Sequence, residues 1–233
     1  MSKDDRVGFI GDTHSPVMLE GYPEWCMDVF ESWGVTRIIH IGDFVDWHAA
    51  SRHESEVGYA DVCGEYEKAY EQVQHQASVF GNKIECMIGN HDCIPQRTLK
   101  SLGMPSALLR NYNEMWGVDW TFHPRYTKLQ IQDYQVMHGD QGRGPDAKAK
   151  ALGDWRSTVC GHHHTQLNAW HGANESTRFF GLSVGCGVDS GHAAMAYGKT
   201  FAKKGMIGCG VVIDGCPYAE PMPKKNKFGR IMR

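Results

Sequence analysis

Short apolar runs recur along the first two thirds of the chain, and helical patterns separate them. Val7 to Ile10, Arg37 to Ile41, Ile84 to Ile88, Tyr134 to Met137 and Thr158 to Cys160 are brief and mostly rich in Val and Ile, as strands buried on both faces are. Pro23 to Trp33 reads as a helix with proline near its first turn and Gly34 as its stop. Val62, Tyr66, Ala69, Tyr70, Val73, Ala77 and Phe80 recur at spacings of three and four, predicting a long helix that Gly81 closes. A third helix is expected over Asp146 to Leu152, between Pro145 and Gly153. Beyond residue 165 the texture changes to Gly-punctuated runs, Leu167 to Trp170, Thr177 to Ser183 and Met206 to Ile213, expected as antiparallel strands. Alternating strands and helices predict an α/β layered fold.

Composition narrows the function classes. A chain of 233 residues and 26.1 kDa suits one compact domain. With 24 Lys+Arg against 27 Asp+Glu, the net charge of -3 supplies no field to hold nucleic acid non-specifically. The longest apolar stretches, Phe179 to Val188 and Gly205 to Ile213, are Gly-broken and about half the roughly 20 residues of a spanning helix, so no membrane partner is expected. The charged start, Met1 to Arg6, lacks the features of a secretory signal and suggests the cytoplasm. Cysteines at 26, 63, 86, 93, 160, 186, 209 and 216 form no C-x-x-C pair and are expected to be reduced.

Histidine departs most from ordinary usage: there are 13, and several gather where the strand candidates end. The clusters are Gly11-Asp12-Thr13-His14, Gly42-Asp43-Phe44-Val45-Asp46, Gly89-Asn90-His91-Asp92, His138-Gly139-Asp140 and Gly161-His162-His163-His164. Ligands bind at the carboxyl ends of strands in open α/β sheets, so distant clusters can converge on one site. Carboxylate, imidazole and amide oxygen suit divalent ions such as Mn, Fe or Zn. Glycine in each cluster allows the backbone to turn where side chains crowd. Asp12 and His14, like His162 and His164, are one residue apart and can project toward one centre or two adjacent ones.

These motifs, in this order, resemble the calcineurin-like metallophosphoesterases, whose pattern runs D-x-H, G-D-x-x-D, G-N-H-[DE], a later His and G-H-x-H. The resemblance spans about residues 7 to 165 and fills every motif position. It implies a four-layer α/β/β/α sandwich with mixed sheets, residues 166–233 completing the second sheet and ending in a basic tail. It also implies two divalent cations, Mn foremost, with Fe, Zn or Ni as alternatives. By the same resemblance Asp12, His14 and His164 hold the first metal, Asn90, His138 and His162 the second, and Asp43 bridges them. His91 corresponds to the general acid and Asp46 to the carboxylate that orients it. Two cations about 3.5–4 Å apart can clamp phosphate oxygens and lower the pKa of a bridging water to give hydroxide, while an imidazole protonates the leaving alkoxide.

The expected activity is therefore hydrolysis of phosphate esters. In the protein phosphatases of this family an Arg follows the second Asp of G-D-x-x-D and the third cluster ends in Glu; here Trp47 and Asp92 stand instead. Losing that cation favours a phosphodiesterase, acting on a nucleotide, cyclic nucleotide or nucleic-acid end, over a phosphomonoesterase. A scaffold of the same fold is the alternative from another class. Among the remaining histidines, His163 is expected to point away from the ligands, and His40 and His75 to be structural. His48, His53 and Arg143 are candidates for substrate contact or plain loop, and the tail Lys224 to Arg233 for a solvated terminus or a phosphate-contacting arm.

Overall fold

In a computed structural model the chain is described over residues 6–50, 61–142, 144–189 and 205–223; His53, Arg143 and the basic tail lie outside these residues. Two sheets stack face to face. In the first, β1 (Val7–Ile10) is followed on one side by parallel β2 (Arg37–His40), β3 (Glu85–Met87) and β4 (Thr121–His123). On its other side lie antiparallel β10 (Gly208–Ile213) and β11 (Cys216–Pro221). The second sheet runs β5 (Leu129–Ile131), β6 (Tyr134–Met137), β7 (Ser157–Cys160), β9 (Arg178–Val184) and β8 (Leu167–Ala173) in spatial order.

Alternation along the strands builds three core layers. Val7 and Phe9 of β1 and Ile39 of β2 join Val136, Val159, Leu182 and Val184 between the sheets. Ile10 faces the other way, into a core made with α1 (Tyr22–Ser32), α2 (Val62–Phe80) and α4 (Tyr112–Trp116). Gly8 shares that outer face, where a Cβ would come within 2.8 Å of the Phe30 ring. Across the molecule, α5 (Ala147–Asp154) covers the second sheet through Ala147, Met137 and Cys160. The result is the four-layer α/β/β/α arrangement with mixed sheets that the motifs implied. One further helix, α3 (Ile94–Ser101), buries none of its residues.

Three expectations need correction. Residues after 165 do not all complete the second sheet. β8 and β9 do, but β10 pairs with β1 in the first, from Val7↔Val212 to Ile10↔Cys209. Val211 and Ile213 then face the helices and Val212 the inter-sheet core, so this strand is buried on both faces. Nor are these strands uniformly antiparallel, since β9 runs parallel to β7. The third helix passes through Gly153 and ends where Trp155 turns left-handed at φ 49°, its N–H closing on the Ala151 carbonyl. The other two helices end as expected, α2 on Gly81 at φ 84°.

Candidate functional site

The carboxyl ends of β1, β2 and β3 in one sheet and of β6 and β7 in the other bring the five clusters together. Hydrogen bonds cross between the sheets there: the His162 amide donates to Asp12 Oδ2 at 2.8 Å, and His138 Nδ1 donates to the Ile41 carbonyl at 3.1 Å. Within the first sheet, the Thr13 and His14 amides both donate to the Asp43 carbonyl, at 3.2 and 2.9 Å.

Three of the ligand candidates occupy the left-handed region: His14 at φ 48°, Asp43 at 48° and His162 at 66°. A non-glycine residue there costs about 1–3 kcal/mol and persists only when its surroundings over-determine it. Here neighbouring clusters supply the restraint. Asp92 is completely buried; its Oδ2 accepts the Asp43 amide at 2.8 Å and the Gly89 amide at 2.7 Å, and its Oδ1 accepts Val45 N–H at 3.2 Å. Burial and the Asp43 charge hold its carboxyl up at about 7 despite those donors. Gly42 turns at φ 108°, whereas Gly89 and Gly161 serve close approach. A Cβ on Gly89 would stand 2.1 Å from Asp43 Oδ1, and one on Gly161 2.4 Å from Asp12 Oδ1.

Two groups of donor atoms emerge, each mutually within 4.8 Å: Asp12, His14 and His164, and Asp43, His138 and His162. Asp43 faces both, its Oδ2 3.2 Å from His138 Nε2 and 3.7 Å from His14 Nε2. Asn90 Oδ1 lies 3.2 Å from His138 Nε2, beside the second group. With Nδ1 of His138 donating to a carbonyl and Nδ1 of His14 donating to Asp46 Oδ1 at 2.8 Å, each ring presents Nε2 inward. Asp12 Oδ1 is buried and, among the described residues, has no hydrogen-bond partner. An orphaned carboxylate oxygen costs free energy unless a cation meets it, and His14 Nε2 and His164 Nε2 face one another at 3.1 Å. This donor set fits divalent cations.

Protonation divides the histidines. Burial lowers His14, and burial with the nearby His138 charge lowers His162 to about 4, so both are neutral and have a lone pair to offer. For His138, burial acts downward, but the Asp43 carboxylate outweighs it and holds the ring at about 10. His91 is likewise pulled down by burial and held at about 10, in its case by hydrogen bonding to Asp46 and the charges of Asp43 and Asp46. Its amide donates to Asp43 Oδ1 at 2.8 Å, and its Nδ1 lies 2.8 Å from the Asp46 carbonyl and 3.0 Å from Asp46 Oδ1. Asp46 therefore serves two rings, His14 and His91, rather than one. That also accounts for the third compact group of donor atoms, His14, Asp46 and His91.

Beneath the site, His40 does more than fill space. It is fully buried, its Nδ1 accepts the Gly42 amide at 3.2 Å, and its Nε2 donates to Thr13 Oγ1 at 3.0 Å, which in turn donates to the Phe44 carbonyl. Burial drives its pKa to about 3, so the neutral ring links the first two clusters. His75 pairs with Glu24 on the surface at 2.8 Å. His163 belongs to neither donor group, and Trp47 packs with Tyr66 and Trp116. Neither the role of Asp92 nor that of Thr13 was expected from the sequence; a carboxylate following G-N-H was the only signal.

Residues 5–192, which contain all five clusters, match the family profile described as Calcineurin-like phosphoesterase. The chain belongs to that family. Among solved structures, this calcineurin-like phosphoesterase is similar to Yfce, a phosphoesterase from E. coli, at 12% identity over 98% of this chain and 97% of that one, with TM-score 0.47. It is also similar to Vacuolar Protein Sorting 29 from Cryptosporidium parvum (17% identity, 94% and 97% coverage, TM-score 0.45) and to the nuclease MPE of Pseudomonas putida (14%, 91% and 87%, 0.39). At these identities the likenesses carry no functional weight. Comparison with curated proteins returns no match.

Proposed function

We propose that the whole chain acts as one calcineurin-like phosphoesterase domain and hydrolyses phosphodiesters of a nucleotide or a nucleic-acid end. The observation that carries this reading is Asp43, whose carboxylate faces both imidazole groups while Asp12 Oδ1 lies buried without a partner among the described residues. Asp12, His14 and His164 would hold one divalent cation, Asn90, His138 and His162 the other, and Asp43 both, with Mn the first candidate. When bound, such a pair polarises phosphoryl oxygens and makes water a stronger nucleophile near neutral pH. His91, with Nδ1 engaged by Asp46, offers Nε2 to the leaving oxygen, and its raised pKa keeps the proton in place at neutral pH. Asp46, whose own pKa lies well below the usual carboxylate range, fixes the orientation of that acid and of the ligand His14. We place the protein in a reducing cytoplasm, where its eight cysteines would stay thiols.

A monoester carries one more negative charge than a diester, and position 47 provides no cation to offset it. Wild-type protein with added Mn should therefore cleave bis(4-nitrophenyl) phosphate faster than 4-nitrophenyl phosphate. His91→Gln should retain both metal equivalents and lose about 10²- to 10⁴-fold in turnover on esters of high-pKa alcohols, with nitrophenolate largely spared. Equal losses for both leaving groups would remove the acid role, and a clear monoester preference would favour a phosphatase. A scaffold would bind no metal and hydrolyse nothing.

A further inference from the structure

The turn between β4 and β5, Pro124 to Thr127, is fastened to the two clusters that carry Asn90 and His138. Arg125 donates from Nη1 to Cys93 Sγ at 3.2 Å, and Cys93 Sγ is itself 3.4 Å from the Asn90 carbonyl. On its other side Arg125 meets Asp140 Oδ2 through Nε at 2.8 Å and Nη2 at 2.6 Å. Gln141 Nε2 then donates to the Tyr126 carbonyl at 2.8 Å. Thus the turn that carries Tyr126 is tied to residues in or next to both clusters. The Tyr126 backbone is left-handed at φ 71° and its side chain is 57% exposed, with the Arg125 guanidinium 4.5 Å above the ring centroid.

A largely exposed aromatic with a left-handed backbone, on a turn tied to two of the site's clusters, is an unusual surface residue, and its chemistry restricts what it can bind. One face of the ring already carries a cation, whose attraction to the π-electrons disfavours a second positive charge on the opposite face. An uncharged planar ring fits that face instead. Asp140 neutralises Arg125, so the Arg125 guanidinium serves the ring rather than a phosphate. Arg97 differs. The helical hydrogen bond from its amide to the Cys93 carbonyl, 3.0 Å, places it one turn of α3 beyond Cys93, exposed and, among the described residues, in no ion pair. It supplies, one helical turn beyond the Cys93 that Arg125 contacts, a positive charge that position 47 does not.

We propose that Tyr126 and Arg97 form a nucleoside subsite, in which a nucleobase stacks on the open face of Tyr126 and Arg97 offsets the charge of the attached phosphate. This deepens the phosphodiesterase reading and rests on it, since it makes the substrate a nucleoside ester rather than a lipid or sugar diester.

Two substrates with the same leaving group isolate the subsite: thymidine 5′-(4-nitrophenyl phosphate) and methyl 4-nitrophenyl phosphate, each with added Mn. The ratio of their kcat/KM values should exceed one in the wild type and fall about 5- to 100-fold in Tyr126→Ala, the usual worth of a base–aromatic stack. Tyr126→Phe, which keeps the ring, should restore it. Independently of hydrolysis, thymidine 5′-monophosphate binding by calorimetry should weaken by a similar factor in Tyr126→Ala and more modestly in Arg97→Gln. An unchanged ratio, or equal nucleotide binding by Tyr126→Ala and wild type, overturns the subsite. Nucleotide binding that depends on Tyr126, without any hydrolysis by the wild type, supports the subsite and overturns the phosphodiesterase reading alone.

Discussion

His138 holds a proton that a cation would have to displace. Its Nε2 lies 3.2 Å from both Asp43 Oδ2 and Asn90 Oδ1, and the Asp43 charge keeps the ring protonated up to about 10. Metal uptake at pH 7 should therefore release protons, and affinity should rise with pH. Titrating metal-free protein with Mn in buffers of different ionisation enthalpy measures this directly; a heat independent of buffer would mean that His138 is already neutral. The sign for stability follows from the same shift. Because the folded pKa lies above the unfolded value of 6.5, the contribution of His138 is full below about 6.5 and is lost as pH rises through about 10. The convergence of the nine residues that the motifs single out could be read from the sequence because each carries chemistry that solvated loops rarely concentrate at strand ends. Asp92, Thr13 and the double duty of Asp46 could not. Their roles depend on which backbone amides and rings approach them from distant segments, and no spacing rule encodes that.

Among the elements, α2 carries a polar stripe through an otherwise apolar face. Glu65, Gln72 and Gln76 fall seven and four residues apart and so project to one side. Glu65 accepts the His48 and Ala49 amides at 2.6 and 2.8 Å, Gln72 accepts Met18 N–H at 3.3 Å, and Gln76 Nε2 donates to Ser15 Oγ at 3.2 Å and Thr13 Oγ1 at 3.4 Å. One helix thus grips the first cluster and the loops that follow the first two clusters. Gln76→Leu keeps the volume but removes the grip around His14. We expect it to weaken metal binding at the Asp12, His14 and His164 group about 10- to 100-fold, with less effect at the Asp43, His138 and His162 group. A two-site metal titration reads both constants, and equal losses at the two would point to general destabilisation instead. Apolar spacing made α2 itself predictable, whereas this stripe looks in sequence like solvent-facing polarity. The short elements β4, β5, α3 and α4 are equally hard to read, since three to eight residues hold too little periodicity to separate them from loop. Assigning β10 to the first sheet required knowing which of its alternating valines meets which layer.

At the scale of the whole molecule, burial divides the thiols. Cys26, Cys86, Cys93, Cys160, Cys186 and Cys209 are buried, and only Cys63 and Cys216 are exposed. Burial pushes Cys160 and Cys186 up to about 12, leaving almost no thiolate at neutral pH. Native protein should therefore present two fast-reacting thiols to an aromatic disulfide reagent and all eight after denaturation. More than two reacting at once in the native state would show that the layers open readily. The position of β1 has a further consequence for how the molecule is made. β1 lies inside its sheet, and the strand that seals one of its flanks is β10, paired from Ile10↔Cys209 to Val7↔Val212. At about 5–20 residues per second, a ribosome needs roughly 10–40 seconds to supply the intervening stretch of about 200 residues. Throughout that interval a buried-type strand of Val, Gly, Phe and Ile has one unpaired edge, the kind of edge that recruits other chains. The nascent protein is thus most exposed to misassociation before β10 and β11 emerge, when every cluster of the candidate site has already been synthesised.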